Sequence, residues 1–243
     1  MPLGIIGFGR LGALLTRHLA ADCAIKVHEK RPGFAASIKA AGGEPASLAE
    51  VCRQDVVVPC VPIAGFEGVL RQVRGLLRPG TLVVDVCSVK ERPVRLMKAL
   101  LPRAVEILAT HPNFGPDSAA ESLGGRQVAV CRVRIAPERY RRVKAFLERK
   151  GLELVEMTPK EHDKRMASSL LLTHFIGRAL VGFGARPTGM DTEGFKRLLR
   201  ILQTVSNDSW QLFEDMNRYN AYAPAMRRRF QASLRSVDRR VSR

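Results

Sequence analysis

Leu3-Gly4-Ile5-Ile6-Gly7-Phe8-Gly9-Arg10-Leu11-Gly12 opens the chain and decides how the rest is read. Residues 3–6 form an apolar run of strand length, and helix-forming residues 13–20 follow the glycines, so G-x-G-x-x-G falls between a strand and a helix. In that setting Gly7 permits the tight turn, Gly9 lets the backbone approach a pyrophosphate, and Gly12 lets helix and strand pack closely. The first N–H groups of the helix and its positive dipole end favour an anion at the same place. Phe8, Arg10 and Leu11 complete the loop and join the glycines as candidate cofactor contacts.

An acidic residue about twenty positions on is expected to accept from the ribose 2′-hydroxyl of a dinucleotide. Glu29, after the strand-like residues 24–28, stands there. A carboxylate repels the 2′-phosphate of NADP, which favours NAD. Lys30 and Arg31 follow at once, however, and either clamp that phosphate or remain solvated charges on a loop, so NADP stays open.

Further apolar runs at residues 56–59, 81–86, 106–109 and 127–133 alternate with helical stretches. That order predicts an α/β protein with a doubly wound parallel sheet. Loops at the carboxyl ends of its strands then meet at one crevice, bringing together residues 7–12, 60–63, 87–90 and 111–116. Cys60 and Pro62 become further cofactor candidates. Thr110-His111-Pro112-Asn113-Phe114-Gly115-Pro116 sets a histidine in a stiff Gly/Pro loop beside the expected hydride acceptor, which suggests a dehydrogenase. The plainer alternative is a histidine that caps a turn.

Composition bounds the choice. The chain has 243 residues, 46% of them hydrophobic, enough for one nucleotide domain over residues 1–157 and a smaller unit over residues 158–243. No apolar run of about 18 residues is evident and no secretory leader pattern is seen, so a cytoplasmic enzyme without membrane contact is expected. The five cysteines form no C-x-x-C pair; reduced, buried thiols and no metal site are expected. A net charge of +17 attracts polyanions whatever the fold. The arginines lie along helices without an aromatic stacking platform, which argues against nucleic acid as the partner.

Beyond Gly151 a last strand-like piece at residues 152–157 leads into Pro159, and the rest reads as helix, with a basic end expected to fray. Runs such as Ser168-Ser169-Leu170-Leu171-Leu172 and Phe175-Ile176 are more apolar than one peripheral layer needs. They predict a homodimer built through these helices.

Taken together and in order, the N-terminal glycine motif, Asp85-Val86-Cys87-Ser88-Val89-Lys90, Thr110 to Pro116 continuing into Asp117-Ser118, Glu161-His162-Asp163, Thr173-His174-Phe175-Ile176-Gly177-Arg178 and Asn207-Asp208-Ser209-Trp210 resemble the prephenate and arogenate dehydrogenases of tyrosine biosynthesis. The likeness covers nearly the whole chain and is nearest the plant-like arogenate branch. It implies a Rossmann-type domain, then an all-helical substrate-binding and dimerisation domain, and oxidative decarboxylation of arogenate or prephenate with hydride passing to NAD or NADP. His111 matches the family's catalytic base for the substrate's 4-hydroxyl proton. Ser88 matches the serine that orients it, and the same serine would also serve as a helix N-cap ahead of Glu91. Arg200 matches the arginine gripping the ring carboxylate. His174 matches a pocket histidine near the substrate side chain, or else sits in the core. His162 and Asp163 read as structural.

Glu121 falls at the family's selectivity position, where an acidic residue pairs with the ammonium of arogenate and would repel a keto acid. Asn113, where relatives often carry methionine, departs from the pattern. Two other readings stand beside this one. One is a dehydrogenase of the same architecture acting on another substrate, such as a 4-amino analogue of prephenate. The other is a non-catalytic dinucleotide or nucleic-acid binding protein.

Overall fold

β1 (Pro2–Ile6) is buried from its second residue onward, and Ile5 is fully enclosed, because strands lie on both sides of it. The computed structural model describes residues 1–242 and falls into two units, Met1–Lys160 and Glu161–Arg243.

In the first unit α1 (Arg10–Leu19) leads to β2 (Ala24–His28), α2 (Ala35–Ala40), β3 (Glu44–Pro45), α3 (Leu48–Cys52), β4 (Val56–Pro59) and α4 (Ile63–Val73). Then come β5 (Leu82–Asp85), α5 (Glu91–Leu100), β6 (Glu106–Pro112), β7 (Gln127–Arg134), α6 (Pro137–Arg149) and β8 (Glu153–Glu156). The strand order is β3-β2-β1-β4-β5-β6-β7-β8. The first six strands run parallel, as alternating strands and crossover helices require. Leu14, Phe66, Leu70 and Met97 from the helices and Leu82, Ile107 and Leu108 from the strands fill the layers.

The sheet departs from the expected all-parallel form at one edge, where β7 runs antiparallel to β6 and parallel to β8. No helix lies between β6 and β7, so the chain turns back without a crossover and must pair antiparallel. β6 also runs three residues past the expected end at position 109, which places His111 in a strand opposite Ala129 rather than in a loop. The two-residue β3 escaped the sequence reading because Pro45 and the glycines before it mask so short an edge strand.

The second unit is helical: α7 (Pro159–Ser168, its first two residues in the first unit), α8 (Leu170–Phe183), α9 (Glu193–Ser206), α10 (Trp210–Tyr219) and α11 (Ala223–Val241). Thr192 and Ser209 cap α9 and α10 through side-chain oxygens that accept from Phe195 and Leu212 N–H. Gly177 lets α8 and α9 close up, since a Cβ there would stand 2.7 Å from Val205 Cγ2. Phe175 and Phe230 meet edge to face at 6.2 Å between α8 and α11. The expected fraying is not seen: α11 stays helical to Val241, and Leu234, Val237 and Val241 stand exposed along it.

One expectation fails on inspection of this unit. Pro159–Phe183 contains an 18-residue window of mean hydropathy 1.3, apolar enough by length and composition to cross a membrane. Ser168, Ser169, Thr173, His174 and Arg178 interrupt the stretch, and the helix breaks at Ser169. Scattered polar residues kept this window from standing out as a run.

Candidate active site

The three fingerprint glycines have three different neighbourhoods. Gly7 adopts φ +97, and a Cβ there would lie 2.5 Å from the Cys60 carbonyl oxygen. At Gly12 a Cβ would come within 2.1 Å of the Gly7 carbonyl oxygen. Gly9 is the N-cap of α1, and a Cβ on it would meet nothing within 4 Å. Two glycines therefore allow the turn to close, and the third opens onto free space at a helix N-terminus with no acidic residue in its first turn. That is the cradle a pyrophosphate requires.

Glu29 sits at the rim of the cradle with its side chain 6% exposed. One carboxylate oxygen accepts from Phe8 N–H at 2.8 Å, and both are bridged by the Arg31 guanidinium at 2.9 and 3.0 Å. Hydrogen bonding from Arg31 brings its pKa down from 4.5 to about 2 despite burial, so the group is ionised throughout the physiological range. Arg31 also lies 4.3 Å from the Phe34 ring centroid, and Lys30 points to solvent. Of the two basic residues, Arg31 is fixed beside Glu29 and shares its charge with that carboxylate.

Backbone hydrogen bonds from Gly7 N–H to His28 and from Cys60 N–H to Ile6 draw two of the expected loops, residues 7–12 and 60–63, and the end of β2 to one end of the sheet. Burial pushes the Cys60 thiol up to about 12, so it is neutral, and Pro62 is the N-cap of α4. Leu11 is half-buried in the core against α1's neighbours. Arg10 pairs with Asp117 at 2.6 Å, which ties the glycine loop to the segment following β6.

Asp85 ends β5 and lies opposite Ala109 of β6, so the segments carrying Ser88 and His111 leave neighbouring strands at the same level. His111 is 5% exposed and Ser88 half-buried. Ser88 is not a helix cap: α5 begins after Lys90, whose backbone occupies that position without a side-chain cap. Asn113 N–H donates to Gln127 at 2.9 Å, and both Asn113 and Glu121 expose their side chains on the β6–β7 connection.

The helical unit holds its candidates separately. His174, on α8, is 3% exposed; its Nε2 lies 3.6 Å from an Asp208 oxygen, and its Nδ1 is buried without a hydrogen bond. Burial lowers its pKa, Asp208 partly restores it and Arg178 lowers it further, so the ring is neutral near pH 7. Arg178 reaches the Asp208 carbonyl and stacks 4.6 Å over Trp210. Arg200 is exposed on α9. His162 and Asp163 form a fully buried pair at 2.8 Å, and Asn220 donates to the Asp163 carbonyl, as befits a structural role.

The sequence reading missed the charged pair beneath Ser88 and His111. Lys90 and Asp85 are both fully buried and ion-paired. Their trace was visible as two opposite charges five residues apart in an otherwise apolar segment.

Comparison with known proteins adds what geometry cannot. A family model described as the prephenate dehydrogenase nucleotide-binding domain matches residues 28–156, and one described as a TYRAAT1-like C-terminal domain matches residues 179–243. The chloroplastic arogenate dehydrogenase 2 of Arabidopsis thaliana is 34% identical over 251 residues, which cover 99% of this chain and 70% of that protein. The chloroplastic arogenate dehydrogenase 1 of the same plant is 35% identical over 231 residues, covering 90% of this chain but 36% of its own length. Among solved structures, prephenate dehydrogenase from A. aeolicus in complex with hydroxyphenyl propionate and NAD+ superposes with a TM-score of 0.80 at 20% identity, over 100% of this chain and 91% of that one.

Proposed function

The chain belongs to the prephenate and arogenate dehydrogenase family, on its plant-like branch, and from that membership we propose His111 as the base of its reaction, with arogenate as the preferred substrate. The protein is an NAD(P)-dependent dehydrogenase that decarboxylates its substrate oxidatively. The single observation that supports the assignment of the base is a buried imidazole near the carboxyl end of β6, two residues beyond the position paired with Asp85, in the mostly parallel sheet whose β1 leads into the glycine cradle.

The nicotinamide, when bound, accepts hydride from C4 of the cyclohexadiene ring. The chain's own groups do the rest. The N–H groups at the start of α1 would hold the pyrophosphate, and Glu29 with Arg31 would meet the adenosine ribose. His111 takes the 4-hydroxyl proton as hydride leaves, which makes a ketone conjugated to the carbon bearing the ring carboxylate. The carboxylate then departs as carbon dioxide, and its electron pair completes the aromatic ring. The proton held by His111 returns to the new phenolic oxygen, so each substrate loses one hydride and one carbon dioxide and no net proton. Free imidazole titrates at about 6.5, which makes histidine a residue type suited to base work close to neutrality. Arg200 is the ring-carboxylate clamp in this scheme, His174 contacts the substrate side chain as a neutral ring, and Glu121 favours an ammonium there.

NAD is the cofactor indicated by Glu29, with NADP served when Arg31 swings from Glu29 to a 2′-phosphate. The exposed apolar side chains of α8 and α11 support a homodimer through the helical unit. Steady-state kinetics with arogenate and prephenate, each with NAD and NADP, test the substrate and cofactor assignments. For His111→Ala, kcat is expected to fall by about 10²–10⁴ while dinucleotide affinity is kept. Retention of kcat would remove His111 as the base.

A further inference from the structure

The ion pair of Lys90 with Asp85 lies wholly inside the sheet, where two charges are costly to desolvate and seldom stabilise more than an apolar pair of the same volume. What it touches gives a reason for it to be there. Asp85 accepts from Cys87 N–H at 2.8 Å through its other carboxylate oxygen, and Cys87 is the residue immediately before Ser88. Lys90 donates to the Thr110 carbonyl, and Thr110 is the residue immediately before His111. Thr110 Oγ1 donates in turn to the Asp85 carbonyl at 2.8 Å.

β5 stops at Asp85, opposite Ala109, so Thr110 has no strand partner on that side. A buried carbonyl without a partner is unfavourable, and the Lys90 ammonium supplies what the missing strand does not. One buried pair thus fastens both segments at the residue preceding each member of the proposed catalytic couple.

We propose that Asp85 and Lys90 are positioning residues that set the separation of Ser88 and His111, an inference that rests on His111 being the base. They touch neither substrate nor cofactor. Misplacing a catalytic group by about 1 Å can cost on the order of 10²-fold in rate. The test is the paired variant Asp85→Leu/Lys90→Met, which removes both charges together and leaves neither unpaired. Expected are a fall in kcat of about 10–100-fold, KM and dinucleotide Kd within about threefold, and a displaced acid limb of the kcat–pH profile. Some loss of thermal stability is expected, because the Thr110 carbonyl and the Cys87 N–H lose these partners, but it should not be accompanied by a change in KM.

Unchanged kcat with an unmoved acid limb would overturn the proposal, as would kcat, KM and Tm deteriorating together. Thr110→Val, which deletes only the hydroxyl tie to Asp85, covers the case in which the paired variant does not fold. A fall in kcat of about 3–10-fold at constant KM supports the proposal, and no change overturns it. His111→Ala, run alongside, separates the two ideas. If it abolishes turnover while the paired variant does not affect it, only the positioning role fails; if it leaves turnover intact, the function of His111 fails first.

Discussion

Glu29 shows how one side chain can carry two opposed preferences. Its carboxylate disfavours a 2′-phosphate, but Arg31 neutralises it from 2.9 Å and leaves a guanidinium at the same rim. Removing the carboxylate frees that guanidinium. Glu29→Ala is therefore expected to shift the ratio of kcat/KM for NADP over NAD upward by about tenfold or more, each tenfold being about 1.4 kcal/mol. Parallel kinetics with the two cofactors measure the shift, and an unchanged ratio would contradict the arrangement. Because its pKa is depressed, whatever Glu29 adds to stability is present above pH 4.5 and is lost only as pH falls toward about 2.

His174 acts in the same direction, through burial rather than through a partner. Burial disfavours its charged form in the folded protein, so the unfolded chain binds the proton more readily and stability declines as pH falls through its ordinary range near 6.5. Replacing the ring with leucine should flatten the dependence of unfolding free energy on pH between about 7 and 5, measured by denaturant titration. A slope equal to that of the unaltered protein would show that the ring is not desolvated.

Among elements, the β1–α1 turn gives the sharpest contrast. Gly9→Ala introduces a methyl into open space at an ordinary φ of −73, so the variant should fold with an unchanged Tm yet lose dinucleotide affinity. Gly12→Ala instead drives a methyl to 2.1 Å from the Gly7 carbonyl oxygen and should cost about 1–3 kcal/mol of stability as the helix is pushed off the strand. Thermal melts and fluorescence titration with dinucleotide, run on both, distinguish the roles; equal behaviour of the two would refute the distinction. The same turn was legible in the sequence because its signal is local. β6 was legible only to residue 109, because Thr110, His111 and Pro112 carry loop-like residue types and are held in the strand by β7, 15 and more residues downstream.

At the scale of the whole molecule, α11 carries Leu234, Val237 and Val241 at 54%, 59% and 77% exposure among six arginines between positions 227 and 240. An apolar stripe so flanked is costly in water and stays soluble through its charges. If the homodimer is built on these helices, Leu234→Asp/Val237→Asp should yield monomer in light scattering at concentrations where the unaltered protein is dimeric. A dimer that persists would place the interface elsewhere.

The sequence alone determined the strand–glycine–helix opening, the alternation that makes a doubly wound sheet, the helical last third, and the histidine, serine and arginine that resemble a family's site. These follow from short-range chemistry: periodicity, turn residues and spacing within one loop. Tertiary structure decided the reversal of β7, the strand state of His111, the neutralisation of Glu29 and the burial of Lys90 against Asp85. Each depends on groups far apart in the chain meeting where water is excluded, and only there do burial and partner decide what charge a group carries and where it stands.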